Sequence, residues 1–244
     1  MTDATNITGS ASTLITRTLP SVEATGAMAH SLAELLRPGD TVLLRGDLGA
    51  GKTTLVRMLA IALGASERDI ASPTFVLAHE YRATHAGKAR AAPIARIIHL
   101  DAYRVTSSDD LEAAGWDQMF DARTRTPTPI ARGGSVAIIE WPDRLPPGSL
   151  ASTEMLLAVT LEASGETTRR MTLSIPASWS TRPEVALIRD LPPIQCRTTG
   201  TWVPPTSETY PFASERARLA DLHGWLSEGY KTSREVKGEE EEGT

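Results

Sequence analysis

Lys52 and Thr53 follow Gly51, and Gly46 stands five residues before that glycine, so residues 46–53 fit G-x-x-x-x-G-K-S/T at every fixed position. Side chains of these types at this spacing make a phosphate cradle. Glycines let successive backbone N–H groups turn inward and approach phosphate oxygens with no Cβ in the way. A helix that begins at the lysine adds free amides and the positive end of its dipole. On this reading the amides of Leu48, Gly49, Ala50, Gly51, Lys52, Thr53 and Thr54 face the phosphates. Lys52 brings a mobile ammonium to the β- and γ-phosphates, and the Thr53 hydroxyl ligates Mg2+.

Mg2+ prefers octahedral oxygen coordination and keeps several waters, so such a loop usually works with an acid at the end of a neighbouring strand. Two residues fit. Asp101 ends the run IIHLD and Glu140 ends the run AIIE. Asp101 could hold the metal directly or through water, and Glu140 could share it or orient an attacking water. Thr74, in SPTFV, is placed to sense a γ-phosphate as switch threonines do, or simply to turn the chain. Trp141 either packs near the nucleotide or belongs to the core. His79 and His99 alternate with apolar residues and read by default as satisfied core or surface histidines.

These residues need a sheet edge to bring them together. TLITRTL (13–19) alternates as a short strand, and Pro20-Ser21 opens a helix with Ser21 as its cap. TVLLRG (41–46) is a buried strand that feeds the glycine loop, and the helix after it repeats Leu55, Met58, Leu59 and Leu63 up to Gly64. Residues 74–82, 96–104 and 135–141 read as further strands, 83–95 as a hairpin loop, and 107–120 as one helix behind a Ser/Asp cap. Residues 121–134 are irregular. Residues 153–177 form a β-hairpin about Ser164-Gly165. The fold class that follows is α/β: a P-loop, mostly parallel sheet flanked by helices, with an antiparallel C-terminal hairpin. Asp101 and Glu140 both fall at the C-terminal edge of strands, where open α/β sheets bind ligands. Residues 1–12 are small and polar and read as disordered, and 13–177 as the ATPase domain. Residues 178–244 form a proline-rich extension with one helix at 213–230 and an acidic tail.

Composition narrows the class. The 244 residues carry a net charge of −5, against a broad nucleic-acid footprint. The single cysteine, Cys196, rules out an internal disulfide and a cysteine-built zinc site. No basic run precedes an apolar core at the N-terminus and no apolar run approaches the ~20 residues of a membrane span. The expectation is a cytoplasmic protein without a membrane. The four lysines include none in an N-K-x-D guanine-reading motif, which argues against a GTPase of the familiar kind.

Taken in order, GDLGAGKTT, SPTFVLAHEY, HLDAYR, DLEAAGWDQMF and IIEWPDRLP resemble the bacterial tRNA threonylcarbamoyladenosine biosynthesis protein TsaE family, over roughly residues 13–177. The resemblance implies a weak, Mg2+-dependent ATPase. It would act with the TsaB and TsaD subunits in forming threonylcarbamoyladenosine next to the anticodon of tRNA, touching tRNA only indirectly, and its hydrolysis would reset the complex between rounds. It also implies that Lys52 and the loop amides hold ATP, that Thr53 and Glu140 hold Mg2+, and that Asp101 takes the second-acid role. Thr74 would take the switch role, and Trp141 would lie near the nucleotide. The start of the first helix, around Ser21 and Val22, and the hairpin turn near Gly165 would complete the pocket. Residues 83–95 and 122–134 are longer than the usual loops of this family, and 178–244 have no counterpart in it.

The alternative is a small-molecule P-loop kinase, with Arg123, Arg125 and Arg132 as a phosphate-clamping lid.

Overall fold

The computed structural model describes residues 12–70, 77–84, 93–131, 133–150 and 153–235. Strand β1 (Thr13–Leu19) leads through Pro20 into helix α1 (Val22–Leu35), and the Ser21 hydroxyl caps the helix by accepting from the Ala24 amide at 3.2 Å. Strand β2 (Thr41–Arg45) is buried on both faces, as its unbroken apolar run requires. The glycine loop joins it to helix α2 (Lys52–Ala62). Gly64 follows with φ +85°, the left-handed turn that ends helices. Strands β3 (Ala78–Arg82) and β4 (Ile94–Asp101) pair antiparallel. The expected start of β3 at Thr74 and most of its hairpin loop lie outside the described residues.

The sequence 107–120 forms two short helices, α3 (Ser108–Ala113) and α4 (Trp116–Met119), rather than one. Gly115 lies between them at φ +82°, a conformation that cannot continue a right-handed helix. The Ser/Asp cap is present as a capping box between Ser107 and Asp110. Strand β5 (Gly134–Glu140) is fully buried, and strands β6 (Leu156–Ala163) and β7 (Arg169–Ile175) form the hairpin, whose turn is longer than a Ser-Gly pair. Residues 178–211, in which periodicity suggests no element, contain α5 (Pro183–Asp190) and a two-stranded ribbon of β8 (Ile194–Gln195) and β9 (Trp202–Val203). Eight residues are too few for a helical repeat to register, although Pro183 marks the start. Helix α6 spans Glu215–Glu235, longer than the stretch its spacing suggests.

The main sheet has the order β1-β7-β6-β2-β5-β4-β3. Its four central strands, β6, β2, β5 and β4, run parallel, and the outer strands are antiparallel to their neighbours. The fold is therefore α/β, a mostly parallel sheet flanked by helices with an antiparallel C-terminal hairpin. Alternation assigns the two faces. Val42, Leu44, Ile97, Val136 and Ile138 pack with α1 and α2, while Leu43, Ile98, Leu100, Ala137 and Ile139 pack with Leu111, Trp116, Met119 and Phe120 of the α3–α4 segment. Among the described residues no helix is long and apolar enough to cross a membrane.

The segment from Trp179 onward is fastened to the start of the central strands. Arg182 binds Asp40, which is fully buried just before β2, through both carboxylate oxygens, and also donates to the Leu35 carbonyl. Arg37 pairs with Glu184 at 2.8 Å. Trp179 Nε1 donates to the Glu154 carbonyl, ahead of β6, at 3.0 Å, and the Arg182 guanidinium stacks on the Trp179 ring. These contacts all sit at the N-terminal edge of the sheet. The opposite edge is left to the glycine loop.

Candidate functional site

The loop between β2 and α2 has Gly46, Gly49 and Gly51 at φ +138°, +77° and +100°. Gly46 is doubly constrained, because a Cβ there would come within 2.2 Å of the Leu161 carbonyl oxygen. Gly51 is the residue preceding the first turn of α2, so the amides of that turn open toward the loop. Leu48 is almost fully exposed at the loop tip, Ala50 is buried beneath it, and Thr54 faces outward from α2.

Lys52 is buried, and its ammonium donates to the carbonyls of Gly46 at 2.7 Å and Asp47 at 2.9 Å. It also lies 3.8 Å from the centre of the Trp141 ring. Burial lowers its pKa, opposed by the charges of Glu140, Asp101 and Asp47. Trp141 holds a left-handed backbone at φ +58° and ψ +48°, a costly conformation for a bulky residue. That turn reverses the chain directly after Glu140 and lays the indole against Lys52. Tyr103 backs the same ring at 5.1 Å between centroids. Trp141 meets both readings open for it, lying beside the loop lysine and packing against the core on the α3–α4 side of the sheet.

Parallel pairing sets Asp101 directly opposite Glu140 at the C-terminal ends of β4 and β5, and Leu44 of β2 opposite Glu140 on the other side. Thr53 donates to Glu140 Oε2 at 3.0 Å. Asp101 accepts from the Tyr103 amide at 3.0 Å. Burial holds its carboxyl above the usual range and the nearby Glu140 charge adds to this, against the Tyr103 hydrogen bond. Among the described residues no three His, Cys, Asp or Glu side chains are grouped to hold an ion by themselves. The donor set is instead one hydroxyl and one carboxylate with a second acid alongside. That is all oxygen and incomplete, which suits Mg2+ that takes its remaining ligands from phosphate and water.

Three residues of this neighbourhood do not announce themselves in the sequence. His99 Nε2 lies 3.0 Å from Glu140 Oε1, and Tyr81 Oη lies 3.3 Å from His99 Nδ1. The H-x-D spacing of His99 and Asp101 was the available signal, since residues two apart on a strand share a face. Arg169, at the start of β7, donates to the carbonyls of Ala50, Gly165, Glu166 and Thr168. It thereby ties the hairpin turn to the glycine loop. On its other side Thr167 donates to the Pro20 carbonyl at 3.1 Å, next to Ser21 and the half-exposed Val22. The turn containing Gly165 and the start of α1 are thus brought together on one side of the loop. Arg169→Ala should weaken nucleotide affinity about tenfold, the scale of one lost charge-assisted hydrogen bond, with the far-ultraviolet circular dichroism unchanged. An unchanged affinity would deny the tie any part in binding. Thr74 and Arg132 lie outside the described residues.

The family model for threonylcarbamoyl adenosine biosynthesis protein TsaE matches residues 19–171. The chain is similar to tRNA threonylcarbamoyladenosine biosynthesis protein TsaE of Rickettsia conorii, with 34% identity over 146 residues, 60% of this chain and 70% of that protein. It is 37% identical to the Synechocystis protein of that name over 128 residues, 52% of this chain and 70% of the other. With that of Aquifex aeolicus it shares 43% over 98 residues, 40% of this chain and 67% of the other. A crystal structure of Bacillus subtilis YdiB aligns at a TM-score of 0.44 and 24% identity, covering 68% of this chain and 88% of that one. The family match begins at the end of β1, takes in the glycine loop, Asp101, Glu140 and the hairpin, and stops within β7, and on it the chain belongs to the TsaE family of threonylcarbamoyl adenosine biosynthesis proteins.

Proposed function

We propose that this protein is a Mg2+-dependent ATPase that supports formation of threonylcarbamoyladenosine next to the anticodon of tRNAs. ATP binding and hydrolysis would reset a TsaB–TsaD complex between rounds, in the cytoplasm, with tRNA contacted through those partners. The observation that carries this reading is the hydrogen bond between Thr53 on the loop helix and Glu140 at the end of β5. It joins the phosphate cradle to a strand-end acid, which is the arrangement a Mg2+–nucleotide complex needs. Family membership supplies the pathway.

In this reading the amides of residues 48–54 and the Lys52 ammonium hold the phosphates. Lys52 gives up the Gly46 and Asp47 carbonyls to do so. Thr53 and Glu140 hold Mg2+, Asp101 takes the second-acid place, and Thr74 senses the γ-phosphate. Trp141 packs beside the nucleotide, with Val22 and Gly165 on the side where α1 meets the hairpin. When bound, Mg2+ would neutralise charge developing on the phosphates. Glu140, buried and held on both oxygens, would orient the attacking water.

The deciding experiment supplies ATP, threonine, bicarbonate, tRNA, TsaB, TsaD and a threonylcarbamoyl-adenylate-forming enzyme, with and without this protein. Multi-turnover tRNA modification should depend on it. Modification that cycles equally well without it, together with phosphorylation of a small molecule, would establish the kinase instead. The half-buried Arg125 lines a cleft with Trp116 and Pro146–Ser149, apart from the residues of the cradle, which gives that alternative no support. Within the main reading, Glu140→Ala should slow Mg2+-dependent hydrolysis by about 10^2- to 10^3-fold, the usual cost of losing a group aimed at the reacting centre. It should weaken nucleotide binding far less. Parallel loss of both in steady-state and equilibrium measurements would remove the water-orienting role.

A further inference from the structure

We infer that His99 and Tyr81 are positioning residues for Glu140, which fix the carboxylate so that one oxygen, Oε2, faces Thr53 and the metal position. The inference rests on the Mg2+-ATPase reading above and goes beyond the residues that reading uses. The chain of contacts crosses the sheet on one face. His99 pairs in register with Ile138, so Glu140 is its diagonal neighbour two residues on, and on the other side it pairs with His79, so Tyr81 is again the diagonal neighbour. Diagonal pairs on a sheet lie within reach of long side chains. Tyr81, His99 and Glu140 are each at most 3% exposed, so the contacts among them are buried.

The chemistry of the three groups orders the protons. An ionised carboxylate only accepts, so His99 Nε2–H donates to Glu140 Oε1. In that tautomer Nδ1 can accept from the Tyr81 hydroxyl, 3.3 Å away. The two neighbours of His99 thus favour the Nε2–H tautomer of the neutral ring. The Tyr81–His99 contact fixes the ring plane, with the two rings 6.2 Å apart between centroids. The imidazole occupies Oε1 and leaves Oε2 as the oxygen that meets the Thr53 hydroxyl. A glutamate with three rotatable bonds would otherwise sample several arrangements about the ion. Partners that orient a ligating group are typically worth about 10- to 100-fold in metal affinity or activity.

The test measures binding apart from turnover. A fluorescent, non-hydrolysable ATP analogue is titrated into the full chain with EDTA and across a Mg2+ series. The variants are His99→Leu, His99→Gln and Tyr81→Phe. Gln can place an amide N–H near the position of Nε2, so it should restore most of the lost effect. For His99→Leu the Mg2+ concentration for half-maximal enhancement should rise about 10- to 100-fold, while the affinity in EDTA stays within about twofold. Tyr81→Phe should shift the Mg2+ midpoint in the same direction by a smaller factor, and unchanged thermal unfolding of that variant would separate it from a folding defect. If His99→Leu and His99→Gln are equally impaired, or if affinity in EDTA falls as far as the Mg2+ response, His99 is merely structural and the inference is overturned. Wild-type protein that binds the analogue with no Mg2+ response would instead refute the Mg2+-ATPase reading itself.

Discussion

Lys52→Ala should abolish measurable ATP binding at micromolar nucleotide while leaving the fold intact. Lys52 is the buried cation at the loop, and its donors are now spent on two loop carbonyls. Losing a desolvated charged partner typically costs about 2–5 kcal/mol, a roughly 30- to several-thousand-fold fall in affinity. The apoprotein should not suffer. Burial lowers the lysine's pKa, so the folded chain gives up this proton more readily than the unfolded chain does. The charged ammonium therefore carries a cost at neutral pH, one that fades as pH rises through the depressed folded value. Its removal also frees the Gly46 and Asp47 carbonyls, which can take water instead. The thermal midpoint without nucleotide should stay within about 3 °C of wild type, the equivalent of roughly 1 kcal/mol for a chain of this size. Isothermal calorimetry and a thermal melt check the two halves separately. Near-normal affinity in the variant would mean that the loop amides hold the phosphates unaided.

The second large effect lies at the opposite edge. Arg182→Leu should destabilise the fold by about 3–5 kcal/mol, because it leaves the Asp40 carboxylate buried without its counter-charge. The loss should appear as a fall of about 10 °C in the melting temperature. Asp40 keeps one hydrogen bond, from the Arg37 amide at 2.7 Å, which is not enough to offset the desolvation of a carboxylate. The double variant Asp40→Asn, Arg182→Leu should recover at least half of the loss, since the orphaned charge is then gone. The pH dependence has a definite sign. Burial holds the Asp40 pKa above its ordinary value even with Arg182 beside it, and removing Arg182 takes away its strongest opposing influence. Folded Arg182→Leu protein would therefore bind a proton that the unfolded chain releases, and its deficit should shrink as pH falls from neutral through the raised value toward the ordinary carboxylate range. A deficit below about 2 °C, or one that grows on acidification, would show that this ion pair is not what fastens the extension.

Why some of this was legible in the sequence and some was not follows from the range of the contacts. The cradle is local: eight residues with a strand before and a helix after specify its geometry without reference to the rest of the chain. Asp101 and Glu140 were visible because each ends an apolar run, and strands buried on both faces bring their C-terminal ends to one edge. His99 reads as a core histidine, and it is indeed buried, but its partners Tyr81 and Glu140 are 18 and 41 residues away and depend on strand order. Arg169 reaches back 119 residues to Ala50, and nothing in the alternation of β7 marks it off from Arg170. The break at Gly115 is a different case. The glycine was in plain view, and the apolar spacing on either side of it concealed the stop. Helix α5 escaped notice because its eight residues give only one apolar pair at helical spacing, Val185 and Ile188, which enter the core, while its anchors Asp40 and Arg37 lie more than 140 residues away.

The placement of the two charged clusters has a genetic consequence. Asp40 and the strand ends at Leu44 and Glu140 are separated by four residues of β2, or about 13 Å of extended chain. Sites more than about 7–10 Å apart with no shared partner usually contribute additively. Substitutions at the N-terminal edge are therefore expected to be non-epistatic with substitutions at the nucleotide edge. A lineage can lose or strengthen the extension's hold on Asp40 and change only how much folded protein it has, while the specific activity of each folded molecule is inherited separately.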